Sequence, residues 1–506
     1  KDKQPEGGYD STPIPKPPAG TIGYTVKFTF HSASALTIGD LGVMSSDPYI
    51  FAQLNTDLEP RHKEDPRLRF RSPTVHKNLN PTWNEEWIVA NVPSSGFRLK
   101  VRVYDEDPAD HDDMLGKAHI TVPSLDDNWA GFMKESYKLT LRDSSKRALF
   151  IRAVARCFGV VKKFQGEVTV SAELLGRTEN KNDGQNGKAY TLGPVRWCRH
   201  YSPILGRLAN IKEPSEGDTR SPSADKKHQQ EVQKYNFQAN EFQLPGPVPA
   251  ELYHRFVEFR PWVKRMFTTT GFQGVLLGKA LHHQHNRVYN FSRDTVWGHF
   301  PQGPSEEMTK KFLELAHYAQ GGRIFTYIIT LDALWRFTET GPQISIDMLS
   351  KHTMHSDVSI YIAFSGEFFL RRLKHPRRPP PPDPVDETSQ RHPPSHQANE
   401  IEAEAEDEPP TDPAHYELVI DNDSGTYRPN AQKLPLLADF LAHCLPGLHI
   451  QTLDCQADAD KMAKMKAAQR DRKKKTGDHV VYAQGDDSSS ISSEEHEALD
   501  AAEQGG

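Results

Sequence analysis

The 506-residue sequence predicts a multidomain protein: an N-terminal all-β sandwich of about eight antiparallel strands, an α+β region, and a small C-terminal βαβ unit, separated by disordered linkers. Three observations predict it. From Gly23 onward, short alternating apolar runs recur with turn signals between them, the pattern of a β-sandwich. Beyond residue 234, helix-period segments interleave with strand-like runs. Between these blocks lie one polar stretch and one stretch rich in proline and acid, neither of which can bury enough apolar surface to fold.

Residues 1–21, with PIPKPP, read as a flexible lead-in. YTVKFTF, YIFAQL, EWIVANV, LKVRVY, KLTL and ALFIRAVARCF follow at short spacing and place the sandwich at 22–158. GEVTVSAELLG and RWCRHY make 165–211 a β-containing extension, and 212–233 is a polar linker. In 234–374, Leu252, Phe256, Phe259, Val263 and Phe267 recur at helical spacing, and EEMTKKFLELAHYA reads as an amphipathic helix. RIFTYIITL and VSIYIAFSGEFFL read as strands of the same α+β domain. After the spacer at 375–413, YELVI, KLPLLADFLAHCL and LHIQTLD form a strand, helix and strand over 414–456. A basic helix at 457–476 and an acidic serine-rich tail at 477–506 complete the order.

Hydrophobic residues make up 36% of the chain, with 38 prolines, which fits folded blocks diluted by linkers. Cys157, Cys198, Cys444 and Cys455 are widely spaced with no CxxC pair, which suits a reducing, cytoplasmic setting. No apolar run approaches the roughly 18 residues of a membrane span, so the expected membrane contact is peripheral and reversible. The first residue is Lys1 rather than methionine, so the natural N-terminus can lie upstream. The net charge of −6, and a basic run without interleaved aromatics, argue against nucleic acid as a partner.

The chemistry concentrates in two acidic clusters. Asp40 and Asp47 lie in TIGDLGVMSSDPYI, and Asp105, Asp107 and Asp113 lie in VYDEDPADHDDMLG. Calcium takes roughly 6 to 8 oxygen ligands, so several acids must converge from separate loops, and two acidic loops on neighbouring strands would supply them. Singly, each aspartate is a turn residue by preference. Asp47, Pro48 and Tyr49 open a strand, and KNLNPTWNEEW carries Asn80, Pro81, Trp83, Asn84 and Glu85. With the strand, acidic loop and strand of VRVYDEDPADHDDMLGKAHI, these motifs resemble those of C2 domains, although the first loop is about one residue longer than usual. One strand before the first loop and spare strands after the third hint at the circularly permuted form of that fold. The order of pieces resembles C2-domain proteins of filamentous fungi that lack an assigned activity.

The resemblance implies calcium (Ca2+) held by Asp40, Asp47, Asp105, Asp107 and Asp113, and a phospholipid membrane as partner, with phosphatidylserine foremost. Glu106, Asp110 and Asp112 add negative charge to the same loops. Leu41, Val43 and Met44 at the tip of the first loop would enter the headgroup region or pack on the neighbouring loop. Arg67, Arg69 and Arg71 alternate along one strand, with Lys77 after them, which suits phosphoinositides as well as a solvated sheet face. The basic helix reads as a solvated helix, as a tether to anionic membranes or as a nuclear-localisation patch.

No catalytic signature stands out. ELVIDNDSG places Asp421 and Asp423 after an apolar strand, but Gly425 breaks the phosphatase pattern, so both read as turn residues. His352, His355 and Asp357, and His282, His283 and His285, lack the spacing that sets two histidines on one helical face. The sequence therefore points to a non-enzymatic, calcium-dependent membrane-targeting protein. Two alternatives stand beside it: a membrane-delivered enzyme of unrecognised fold in 165–374, and a calcium-independent C2 scaffold for protein partners.

Overall fold

The computed structural model describes residues 12–16, 20–37, 45–63, 65–106, 112–140, 166–178, 188–201, 238–255, 289, 295–340, 361–376, 409–425 and 427–476. The N-terminal sandwich comprises β1 (Gly23–Ser34), β2 (Pro48–Asn55), β3 (Leu68–Arg71), β4 (Thr82–Pro93), β5 (Phe97–Asp105), β6 (Asp113–Val122), β7 (Phe132–Lys138), β8 (Glu167–Arg177) and β9 (Tyr190–Gly193). One sheet runs β7-β8-β1-β4-β9 and the other β3-β2-β5-β6, all antiparallel. Side chains alternate across each strand, so Val26, Phe28 and Phe30 of β1 and Val101 and Val103 of β5 share one core. Trp87 packs on Phe28 and Phe70 at its centre, with ring centroids 5.7 and 5.5 Å away.

The sandwich does not end at 158. Strand β8, expected in a separate extension, pairs with β1 from Tyr24 opposite Arg177 to Ser34 opposite Glu167, and buries Val168, Val170 and Ala172. Without it, β1 would lose one of its two neighbours and the core one wall. Strand β1 leads directly into the first acidic loop while β8, its partner, comes late in the chain. The expected strand at 148–158 lies outside the described residues.

Beyond β9 come β10 (Val195–Tyr201), β11 (Gln238–Gln243), β12 (His254–Arg255), β13 (Val296–Phe300), α1 (Glu306–Leu315), β14 (Phe325–Ile329), β15 (Leu334–Glu339), β16 (Tyr361–Ile362), β17 (Phe364–Arg372), β18 (Tyr416–Asp421), α2 (Leu434–Cys444), β19 (His449–Leu453) and α3 (Ala459–Thr476). Eight strands form a single sheet in the order β13-β10-β11-β15-β14-β17-β18-β19, antiparallel but for the β18–β19 pair. The blocks expected as separate units at 165–211, 234–374 and 414–456 thus meet in shared sheets. The βαβ unit is present, but its first strand pairs with β17, from Phe368 opposite Ile420 to Arg372 opposite Tyr416. The proline-rich and acidic stretch therefore interrupts a hairpin within one domain. The helical stretch expected from Leu252 begins differently: Ala250–Leu252 is a 3-10 turn followed by strand β12, and residues 256–267 lie outside the described set.

Alternation divides the large sheet into two faces. Leu418, Ile420 and Phe368 join Phe312 of α1 and Leu437 and Leu441 of α2 in the main core. Ser305 caps α1 by accepting from the Met308 N–H at 3.3 Å, and Glu306 and Glu307 sit in its first turn. The opposite face carries Glu367, Phe369, Val419 and Asp421, and there α3 docks. Met462 and Met465 rest on Ile324, Phe369, Val419 and Leu453. Lys466 Nζ donates to Glu367 Oε2 and Asp421 Oδ2, each at 2.6 Å, and Lys473 Nζ reaches Glu339 Oε1 at 2.7 Å. The basic helix is therefore neither fully solvated nor free. Asp421 is more than a turn residue: its Oδ1 accepts the Asp423 N–H at 3.0 Å, as a turn aspartate does, but it is buried beneath α3, where burial pushes its carboxyl up against the pull of Lys466. Asp423 does serve the turn, accepting from the Gly425 N–H at 2.8 Å.

The sandwich and the large sheet are joined closely. Only Pro194 separates β9 on the sandwich from β10 in the large sheet. Buried Asp65 of the sandwich accepts from Tyr253 Oη and, at 3.1 Å, from Lys188 Nζ. The His62 ring stacks on Tyr361 at 4.2 Å, and Arg196 pairs with Glu85 while lying 4.5 Å over Phe70.

Candidate functional site

Three of the five predicted aspartates fall within the described residues, and strand pairing brings them to one end of the sandwich. Asp47 immediately precedes β2, Asp105 ends β5 and Asp113 begins β6. Pro48 stands opposite Asp105, and Asp105 opposite Asp113. Asp105 is 1% exposed, and its Oδ1 accepts the Asp47 N–H at 2.5 Å. The Asp47 carboxylate takes the Lys77 N–H on Oδ1 at 2.7 Å and lies 3.0 Å from His76 Nδ1 through Oδ2. Ser46 Oγ donates to the Thr37 carbonyl at 2.9 Å, drawing together the two sides of the first loop. Asp40 and Asp107 lie outside the described residues, as do Leu41, Val43 and Met44. Among the described residues, no cluster of three or more acids, histidines or cysteines is spaced to hold a metal.

The donor set is nonetheless of one kind. Strand register brings carboxylate-bearing residues from two loops to one end of the sandwich, and carboxylates are the donors a hard cation such as calcium takes, but a shell drawn from these described residues alone would be incomplete.

Glu106 departs from the expectation that it adds charge to the loop face. It is 3% exposed and turned inward, where Arg71 Nη2 donates to it at 3.0 Å and Thr74 Oγ1 donates as well. Burial pushes its carboxyl up, with Arg71 pulling the other way. Asp112 accepts from Tyr49 Oη at 2.6 Å, and burial raises that phenol. Arg71 also lies 3.8 Å over the Tyr49 ring, so it ties Glu106, just past β5, to β2 and β3.

Arg67 and Arg69 are exposed, as is Lys77, whereas Arg71 is half-buried in the network just described. The alternating arginines belong to a wider cationic face that the sequence motifs did not reveal. Register sets Arg71, Phe51, Arg102 and Lys117 in one row across β3, β2, β5 and β6, and Arg69, Gln53, Lys100 and His119 in the next. The His119 imidazole is held below its ordinary pKa by burial and by Lys100, Lys117, Arg98 and Arg102. The signal was present in the alternation of Arg98, Lys100 and Arg102 through FRLKVRVY.

With this sandwich and its acidic end described, comparison with known proteins defines the class. Residues 24–139 match the C2 domain family, so the chain carries a C2 domain. A probable ADP-ribosylation factor GTPase-activating protein of Arabidopsis thaliana is 33% identical over 100 residues, covering 20% of this chain and 26% of that protein. Human extended synaptotagmin-3 is 45% identical over 80 residues, 14% of this chain and 9% of that protein. Among solved structures, a C2 domain of plant extended synaptotagmin 1 is 22% identical, covering 31% of this chain and 97% of that one, with a TM-score of 0.22. The chain spans about a quarter or less of these curated relatives' length, and the similarity is confined to a fraction of this chain. Among the described residues, no helix is long and apolar enough to cross a membrane.

Proposed function

We propose that this chain is a calcium-regulated peripheral membrane protein, in which the C2 domain docks a non-enzymatic mixed-sheet domain onto anionic phospholipid. The observation that carries this reading is the convergence of Asp47, Asp105 and Asp113 at one end of a C2 sandwich whose outer sheet face is cationic. Asp40, Asp47, Asp105, Asp107 and Asp113 would hold the ion. Bound there, calcium would neutralise the acidic loops and offer open coordination positions to lipid phosphate or carboxylate oxygens.

The chain's own residues do the rest. Arg67, Arg69, Lys100, Arg102 and Lys117 attract anionic headgroups, each contributing on the order of 1 kcal/mol near the surface. Phosphatidylserine is the expected lipid at the acidic loops, and phosphoinositides at the basic rows, where several cations can surround one multiply charged headgroup. Leu41, Val43 and Met44 add a shallow apolar contact. The Arg71–Glu106 pair anchors the residue at which the chain leaves β5 toward the acidic loop. On this reading the protein is cytoplasmic and moves reversibly to a membrane.

A second reading, calcium-independent attachment through the cationic face, is favoured by the hydrogen bonds that already occupy both Asp47 oxygens. Co-sedimentation with phosphatidylserine vesicles separates the two. Calcium-dependent pelleting that is lost in Asp105→Asn/Asp107→Asn supports the first. Pelleting indifferent to calcium but lost in Arg69→Gln/Lys100→Gln/Lys117→Gln supports the second and overturns the first.

A further inference from the structure

Helix α3 divides its charge between two faces. Lys466 and Lys473 turn inward to Asp421, Glu367 and Glu339, while Lys461, Lys464, Arg470, Lys474 and Lys475 are exposed. Two acids share the outer side, Asp460 and Asp471, the latter 3.8 Å from Lys474. The inner face fixes the helix: Gln469 is buried, and Gly322, with φ of +60°, lets the helix backbone come so close that a Cβ there would overlap the Gln469 carbonyl oxygen. The outer cations are therefore a rigid ridge with a net positive charge.

We infer that this ridge is covered by the chain's own C-terminal segment, 477–506. That segment carries eight acidic residues and no lysine or arginine, and it follows directly from Thr476 at the end of the helix. It has the reach to double back. The 18 residues of α3 span about 27 Å at ~1.5 Å per residue, and the roughly ten residues from Thr476 to Asp486 can extend to ~34 Å. Asp486 and Asp487, and then Glu494 and Glu495, can each come opposite the ridge at Lys464, Lys474 and Lys475. The contact is electrostatic, since the outer side of the helix offers only alanine methyls between its charges, and it weakens as salt rises. It takes these lysines out of play for anionic lipid. The inference is independent of whether the C2 loops bind calcium.

The test is carbodiimide cross-linking of the dilute full-length protein, read by mass spectrometry, together with lysine acetylation rates. The expected result is intrachain links from Lys464, Lys474 or Lys475 to acids of 477–506. Acetylation of those lysines should rise several-fold in Asp486→Asn/Asp487→Asn/Glu494→Gln/Glu495→Gln and in the wild type at about 0.5 M salt, where screening is strong, while Lys466 stays protected. Links from the ridge to the acidic run at 400–408, links only between chains, or acetylation rates unchanged by the substitutions would each overturn the inference.

Discussion

His254 gives the sharpest prediction for the large-sheet domain. Its ring is 1% exposed, with Nδ1 3.1 Å from the Leu252 carbonyl and Nε2 accepting the Asn430 N–H at 2.5 Å. That pair of contacts requires the neutral ring, with its proton on Nδ1. Burial pushes the imidazole down to about 4 from 6.5, against the opposing pull of the Leu252 and Ala363 backbone and with Lys433 and Arg61 adding to the effect. Because the folded-state pKa is depressed, stability is complete above about pH 6.5 and is lost as pH falls toward 4, where the unfolded chain takes up the proton first. The full shift corresponds to ~3 kcal/mol, and about 2 kcal/mol of it is lost between roughly pH 7.5 and 5.0. Urea unfolding of the wild type and His254→Gln at these two pH values isolates the contribution, since the other titrating groups are common to both proteins. The wild type should lose about 2 kcal/mol more than the variant over that interval. Equal losses would show that His254 is not held neutral against Asn430, and the reasoning would fail.

Three further outcomes follow from named contacts. Lys466→Gln leaves Asp421 and Glu367 facing each other beneath α3 and should cost ~3–5 kcal/mol in urea unfolding, whereas Lys461→Gln on the exposed side should stay within about 0.5 kcal/mol. Gly322→Ala should speed amide exchange across α3, because its Cβ would overlap the helix backbone; Gly321→Ala, also at positive φ but with no atom nearer than 3.7 Å, should leave α3 exchange unchanged. Arg71→Gln strands a buried Glu106 and should lower C2 stability by ~2–4 kcal/mol in thermal denaturation; Glu106→Gln in the same background should recover part of the loss.

Much of the C2 half was legible in the sequence because its signals are local. YTVKFTF and FRLKVRVY alternate on one face, and Asp47-Pro48-Tyr49 marks the entry to β2. What escaped were contacts made across long separations. Strand β8 is as regular as any other, yet nothing in GEVTVSAELLG reveals that its neighbour is β1, more than a hundred residues earlier. The same holds for YELVI, which reads as the start of an independent βαβ unit until its pairing with β17 is seen across a long acidic insertion. Asp421 reads as a turn residue and nothing more, because its second partner, Lys466, belongs to a helix whose composition suggests solvent on all sides. At the candidate site, the spacing of the acidic runs anticipated that Asp47, Asp105 and Asp113 would come to one end of the sandwich. The inward turn of Glu106 and the rows of cations across four strands depend on register.

Calorimetric titration of calcium into the full-length protein, with and without phosphatidylserine vesicles, tests the central claim most directly. If the acidic end of the sandwich is the switch, calcium binds the free protein, binds at least several-fold more tightly when vesicles are present, and gives no binding heat in Asp47→Asn/Asp105→Asn. Calcium binding that survives those substitutions, or that is indifferent to the vesicles, would contradict the account.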